Sequence, residues 1–391
     1  KKSYEFFAPK VFIRTFGCQM NVRDSEIITG LLLARGYKLT EKSDDADAII
    51  FNTCCVRQHA EDKVWSEIGR FAKMAGSVPP KFAKANLSRG GTNPIKKIIG
   101  LVGCMAEYHK YDAFKIAAGI DFVCGPNDIG TIPFLLAQAL ERDTKGIAVN
   151  QRQRDEFVYN TDFQFDKESC FVNISEGCNN ACSYCVVPLV RLREHSRHYE
   201  DILKEIQQLL GKGVKQITLL GQNVNSYKSE NINFPRLLIL VNQIEGLESF
   251  SFVTSHPKDA GQELFIAMSR LDKLKKYLHL PLQSGSERIL KLMNRGYTLK
   301  EYLQKVADYR KIVGGAISTD IIVGFPTESE EDFLKTKEVL ETVKFDSAYI
   351  FKYSVRPHTL AAELADDVLQ EEKERRHRIL LDLQKEISSK K

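Results

Sequence analysis

The chain has 391 residues, of which 43 % are apolar and 27 % charged, and a net charge of +5. That length accommodates two or three domains, and that composition excludes a disordered or fibrous chain. No apolar run reaches the roughly 18 residues of a membrane span, and the mild basic excess permits a polyanionic partner without requiring one.

The opening KKSYEFFAPKVFIRTFGC lacks a signal-peptide layout and runs directly into a strand, so a cytoplasmic protein is expected. Residues 10–145 alternate apolar strands with helices. Strands are predicted at KVFIRTFGC (10–18), ADAIIFNTC (46–54), KKIIGLVGC (96–104) and IDFVCGP, with helices near 24–35, 57–74 and 129–142. Continuous apolar strands joined by helices predict a doubly wound parallel-sheet α/β domain. Residues 75–94 carry Pro, Gly and Ser without a period and read as a long surface loop. Residues 146–168 are polar and read as a linker. Residues 169–368 repeat a strand–helix unit six times, with strands CFVNISEGC, QITLLGQNV, SFSFVTS, YLHLPLQSG, ISTDIIVGFP and SAYIFKYSV. Six units predict a partial (β/α)6 barrel, whose chemistry belongs at the carboxyl ends of the strands. Residues 369–391 form a charged helix with an Ile/Leu stripe, expected to pack on the barrel edge.

The nine cysteines are odd in number and follow no secretion signal, which argues against a disulfide scaffold and for metal or redox use. Cys178, Cys182 and Cys185 form a Cys-x3-Cys-x2-Cys triplet just after the first barrel strand. Three thiolates can bind three irons of a 4Fe–4S cubane and leave the fourth open, as a catalytic metal site needs. Zinc is the competing reading, with His195 as the one histidine within reach by sequence. Cys18, Cys54 and Cys104 close the first three strands, and parallel strands bring their carboxyl ends to one edge. Those three cysteines therefore suggest a second 4Fe–4S cluster. Cys54 holds the strand-end position and is taken as the ligand; Cys55 points oppositely and is taken as packing. Cys124 and Cys170 sit in apolar strands as buried thiols.

The triplet on a barrel strand resembles the signature of the radical S-adenosylmethionine (SAM) superfamily. TFGCQMN (15–21), NTCCVR (52–57), GCMAE (103–107), GCNNACSYC (177–185), TLLGQNVNSY (218–227), TSHP (254–257), HLPLQSGS (279–286) and DIIVGFPTE (320–328) resemble the methylthiotransferase family. TFGCQMN with GQNVNSY is most similar to the MiaB-type tRNA branch. The likeness covers nearly the whole chain. It departs at Leu192 (VRLRE) and His358 (RPHTLAA), where the family has Gly. The family continues into a small β domain, TRAM, and the resemblance implies that this domain is absent from this chain.

The resemblance implies an enzyme that adds a methylthio group to carbon 2 of N6-isopentenyladenosine at position 37 of tRNA. It implies two 4Fe–4S clusters and two SAM molecules, one a methyl donor and one a radical source. The triplet would be the radical-generating half, facing a sulfur-delivering half across the adenine. Partners would be the tRNA anticodon stem-loop and an electron donor such as a flavodoxin or ferredoxin, with the enzyme a monomer. Tyr184 matches the aromatic position near the adenine of SAM. Gln222 and Asn223 end the second barrel strand and can bond its methionine part, while His279, Gln283 and Ser284 face the same mouth; Asp320 lies within the fifth strand, where its carboxylate can bond a ribose hydroxyl or an internal partner. Arg191, Arg193 and Arg197 follow the triplet and are expected to neutralise tRNA phosphates. Within the family the alternative acceptors are threonylcarbamoyl-adenosine in tRNA or a ribosomal protein. Outside it stand a two-cluster electron carrier and an RNA-binding module with a structural cluster.

Overall fold

The computed structural model describes residues 8–55, 58–74, 97–142, 144–150, 152–159 and 163–390. The loop expected over 75–94 lies outside the described residues. The chain folds as two units. One contains the chain up to Phe165 together with Leu189–Leu192, and the other Asp166–Pro188 and everything from Arg193 onward.

The first unit is built on a six-stranded sheet. Its strands are β1 (Lys10–Thr15), β2 (Lys38–Leu39), β3 (Ala48–Thr53), β4 (Ile98–Gly103), β5 (Phe122–Cys124) and β6 (Gly146–Ala148). They run in the order β2-β1-β3-β4-β5-β6, every pair parallel. All six residues of AIIFNT in β3 and of IIGLVG in β4 are buried, as strands covered on both faces require. Helices α1 (Gln19–Leu33), α2 (Gln58–Met74), α3 (Cys104–His109) and α4 (Ile132–Arg142) join or cover them. The core gathers Ile27, Ile28 and Leu32 of α1, Ile50, Val102 and Phe122 of the sheet, and Leu135 and Leu136 of α4.

The linker reading of 146–168 is corrected. Gly146–Ala148 pair with β5 in parallel, Val158 and Tyr159 join the first core, and Arg154 is buried. The segment looked polar because its polar side chains bond into the first unit: buried Arg154 donates to Asp24, and exposed Asn150 and Arg152 both donate to Asp128.

The second unit carries the six expected parallel strands in two groups of three. Strands β7 (Ser169–Asn173), β8 (Gln216–Leu220) and β9 (Ser249–Phe252) pair in parallel, with β8 in the middle. Strands β10 (Tyr277–His279), β11 (Ala316–Val323) and β12 (Ser347–Lys352) do likewise around β11. A parallel bridge between Phe250 and Leu274 spans from β9 to the segment before β10. Helices α5 (Tyr199–Gly211), α6 (Phe234–Asn242), α7 (Gln262–Arg270), α8 (Glu287–Leu292), α9 (Leu299–Ile312) and α10 (Glu330–Val343) alternate with them. Two of these helices begin with a capping box, Thr298 with Glu301 and Ser329 with Asp332. The last helix, α11 (Gln370–Ser389), puts Leu380 into the barrel core and bonds Gln384 to the Phe345 carbonyl at 3.0 Å.

The two departures from the family pattern share one backbone feature. Leu192 has φ +65° and His358 φ +67°, the left-handed region that glycine enters freely. Holding an L side chain there costs about 1–2 kcal/mol, against about 0.5–1 kcal/mol of extra chain entropy lost by glycine. Leu192→Gly and His358→Gly are therefore each expected to raise stability by about 0.5–1 kcal/mol, read as an upward shift of the urea midpoint at constant slope.

Candidate functional site: two cysteine constellations

In the first unit the cysteines stand where three strands end. Cys18 is the N-cap of α1 and Cys104 the first residue of α3. Asn21 of α1 donates from Nδ2 to Asn52 Oδ1 and to the Thr53 carbonyl, each at 3.2 Å. Asn52 returns bonds to the Asn21 carbonyl at 2.8 Å and to Ser25 Oγ at 2.9 Å. These bonds tie CQMN to NTC. They explain why two polar side chains are fully buried in an apolar sheet: each satisfies the other. Gly17 and Gly103 make the close approach possible. A Cβ on Gly17 would fall 2.7 Å from Cys54 Cβ, and one on Gly103 2.6 Å from the Thr53 carbonyl oxygen. Both have positive φ, +143° and +89°.

A buried ion network stands behind Cys104. Arg191 donates from Nε to Cys104 Sγ at 3.2 Å and from Nη2 to Asp24 at 2.8 Å. Arg154 donates to the other Asp24 oxygen, also at 2.8 Å. Burial would raise the Asp24 carboxyl, but Arg154 and Arg191 outweigh it and hold it below the usual carboxylate range. A hydrogen bond from Cys55 first, and then Arg191 against the cost of burial, bring the Cys104 thiol down to about 6. Cys55 is therefore more than packing: it is fully buried and bonds the Cys104 sulfur. Cys54 is half-buried and Cys18 exposed.

Asp24→Asn removes the buried carboxylate that Arg154 and Arg191 both address and is expected to cost about 3–5 kcal/mol, read by urea unfolding. The stabilisation has a defined pH window. Because the folded pKa is depressed, it is fully present above the unfolded value near 4 and is lost as pH falls through the lower folded value. The D24N variant is expected to lose that acid-limb dependence.

In the second unit the triplet loop leaves β7 and is pinned from several sides. Ser183 donates its N–H to the Met293 carbonyl at 3.0 Å and its hydroxyl to the Leu292 carbonyl at 2.8 Å. Asn294 donates to the Ala181 carbonyl at 2.7 Å. Cys178, Cys182 and Cys185 are all half-buried. The Asn180 N–H points at Cys178 Sγ at 3.4 Å, and Arg295 Nη1 at Cys182 Sγ at 3.2 Å. His256 Nε2 lies 4.0 Å from the same sulfur. Its Nδ1 accepts the Lys258 N–H, which leaves the ring proton on Nε2, facing the sulfur. Burial first, then Arg295, Lys258 and Lys305, push His256 down to about 2, so the ring is neutral. Burial and the Cys182 neighbour push the Cys185 thiol up to about 12.

The strand ends beside the loop carry buried polar atoms with no partner in this structure: Ser175 Oγ after β7, Gln222 Oε1 and both amide atoms of Asn225 after β8, and Ser255 Oγ after β9. Gly221 keeps the space above Ser175 open, since a Cβ there would fall 2.4 Å from its hydroxyl. Thr254 and Gln283 follow β9 and β10 with φ +75° each, strained conformations that concentrate at functional sites.

Several expected residues are placed otherwise. Asn223 uses its amide inside the fold, donating to Asp259 at 2.7 Å and accepting the His256 N–H at 3.1 Å; it positions His256. Ser284 is fully buried against Thr336. Gln283 is buried with its backbone bonded to Asp320 and Ile322. His279 and Asp320 pair at 3.3 Å, with Ser318 on the other ring nitrogen at 2.8 Å. Tyr184 is half-buried, its hydroxyl 3.4 Å from Arg295. The phosphate-binding expectation is corrected for two of three arginines: Arg191 is held by Asp24 and Cys104, and Arg197 by Glu205 at 2.6 Å, both buried. A basic loop in sequence became interior ion pairs because each arginine met a buried carboxylate. Only Arg193 of the three is exposed. Sequence reading missed Arg295, His256, Asn225 and the Asp24 network; the motif TSHP contained His256 and TLLGQNVNSY contained Asn225.

Residues 172–340 match the Radical SAM superfamily, and residues 10–125 match the Uncharacterized protein family UPF0004. A tRNA-2-methylthio-N(6)-dimethylallyladenosine synthase from Caldicellulosiruptor saccharolyticus is 45 % identical over 387 residues, covering 97 % of this chain and 78 % of the relative. One of that name from Prosthecochloris aestuarii is 41 % identical over 383 residues, covering 97 % and 83 %. Among solved structures, the radical S-adenosylmethionine methyltransferase TsrM from Kitasatospora setae aligns with TM-score 0.59 at 10 % identity, covering 91 % of this chain and 74 % of that one, a likeness of fold. With nearly its whole length aligned at this identity, the chain belongs to the family of tRNA-2-methylthio-N(6)-dimethylallyladenosine synthases.

Proposed function

We infer that this protein is a radical SAM tRNA methylthiotransferase that places a methylthio group on carbon 2 of N6-isopentenyladenosine, at position 37 beside the anticodon. The observation that carries the reading is the pairing of two separate three-cysteine sets in a chain whose relatives bear that name. Both sets have a donor chemistry that suits iron–sulfur clusters: soft thiolates addressed by N–H groups, from Arg295, His256 and Asn180 in one set and Arg191 in the other. Among the described residues no three His, Cys, Asp or Glu side chains gather around a point as a single ion would need. The thiolates of a cubane, by contrast, stand on separate irons.

In this reading Cys178, Cys182 and Cys185 hold one 4Fe–4S cluster, and Cys18, Cys54 and Cys104 the other. When bound, the first supplies the electron for SAM cleavage and the second the sulfur for transfer. The unpartnered atoms of Ser175, Gln222, Asn225 and Ser255 are the groups offered to the polar parts of SAM, with Tyr184 at the loop's edge. Radical chemistry suits the task, because carbon 2 of adenine carries a strong C–H bond. Exposed Arg193 remains available to a tRNA phosphate, and the adenine must leave the loop stack to be reached. The enzyme works as a cytoplasmic monomer fed by a flavodoxin- or ferredoxin-type donor. No helix among the described residues is long and apolar enough to cross a membrane.

Nucleoside mass spectrometry of tRNA from a deletion strain tests the reading. Loss of 2-methylthio-isopentenyladenosine with build-up of isopentenyladenosine is expected; unchanged levels, or loss of a threonylcarbamoyl derivative instead, would refute it.

A further inference from the structure

Arg295 lies just past α8 and is only 4 % exposed. Its guanidinium donates to Cys182 Sγ at 3.2 Å, to Tyr184 Oη at 3.4 Å, to the Pro281 carbonyl at 2.9 Å and to Tyr297 Oη at 3.1 Å. Its charge sits 5.4 Å above the Tyr297 ring. Among the described residues no carboxylate pairs with it. Every other buried arginine discussed above has one. A buried cation needs a counter-charge, and among the groups its guanidinium reaches the Cys182 sulfur is the one that the proposed cluster takes as a thiolate ligand. The cation is rigid, because Pro281 and Tyr297 fix the plane of the fork.

We propose that Arg295 is a positioning residue for the Cys182 thiolate and that its buried charge raises the reduction potential of the cluster held by Cys178, Cys182 and Cys185. The inference rests on the function proposed above. Hydrogen bonds and positive charge near ligand sulfurs favour the reduced, more negative state. One electron enters from a reduced flavodoxin- or ferredoxin-type protein, which is oxidised; no bond to Arg295 forms or breaks. Arg295 thereby brings the potential within reach of such a donor.

The test is an EPR-monitored potentiometric titration of the full chain with both clusters reconstituted, following the signal that changes when SAM is added. Arg295→Gln is expected to lower that midpoint by about tenfold or more in the reduction equilibrium, ~59 mV for one electron. Arg295→Lys, which keeps the charge, is expected to lower it by less than half as much. A shift under about threefold in R295Q, or equal shifts in both variants, overturns the proposal. If R295Q does not retain the cluster, unaltered protein labelled with 15N-arginine decides by pulsed EPR. A nitrogen coupling on the SAM-responsive signal sustains the proposal, and its absence overturns it. Absence of any SAM-responsive signal in the unaltered protein strikes the proposed function instead.

Discussion

Cys182→Ala is expected to abolish reductive SAM cleavage, bringing 5′-deoxyadenosine formation under dithionite down to the protein-free background. An enzyme's whole acceleration, about 10⁶-fold or more, is then forfeited. Among the triplet, Cys182 is the position on which the surroundings converge. Arg295 donates to its sulfur, and the neutral His256 presents its ring proton to it. Behind this ring, Asn223, itself held by Asp259, accepts the His256 backbone N–H, and the Lys258 N–H fixes the imidazole, so this sulfur has support that reaches from β8 through β9. Removing the thiol leaves Arg295 buried with no anionic partner, which adds a local stability cost of about 1–3 kcal/mol. The fold is nonetheless expected to persist, because the loop's anchors run through Ser183 and Asn294 and not through the cysteine. Circular dichroism matching the unaltered protein, with 5′-deoxyadenosine at background, is the expected pair of results. Measurable SAM cleavage by C182A would remove Cys182 from the cluster.

Sequence alone carried much of the architecture, for physical reasons that can be named. Strands such as AIIFNT and IIGLVG are apolar on both faces, which only a covered parallel sheet tolerates, and their ends placed Cys18, Cys54 and Cys104 at the same topological level. The six barrel strands were legible for the same reason. What escaped were features set by side-chain direction. Asn223 and Ser284 occupy the right strand ends yet turn into the fold, since Asp259 and Thr336 offer them partners that periodicity cannot see. Arg191 and Arg197 read as a phosphate grip because charge in a loop suggests solvent; Asp24 and Glu205, far away in sequence or on the next helix, drew them inward. Leu192 and His358 were visible as departures, but only the backbone showed that both hold a left-handed conformation.

Cys104→Ala is expected to separate the two halves of the chemistry: 5′-deoxyadenosine still forms, while methylthio transfer to isopentenylated tRNA falls to background. The reason lies in how each set is supported. The triplet loop is anchored through Ser183 and Asn294 within the second unit, whereas Cys104 is the sulfur that Arg191 and Cys55 both address in the first unit. Iron and sulfide per chain are expected to drop by about half, one of two four-iron clusters. The neighbouring pair Cys54 and Cys55 sharpens the test, because the two can be exchanged one at a time. Cys54→Ala is expected to repeat the C104A result. Cys55→Ala removes a fully buried S–H that bonds Cys104, so it should cost about 1 kcal/mol of stability and keep the full iron content. The reverse outcome, full iron in C54A and half in C55A, would move the ligand one residue along the chain. Cys55 is already within hydrogen-bond reach of Cys104, so that reversal would need only a turn of the loop after β3. Iron analysis of the two single variants, prepared side by side, therefore decides which thiol of the NTCCVR motif carries the metal.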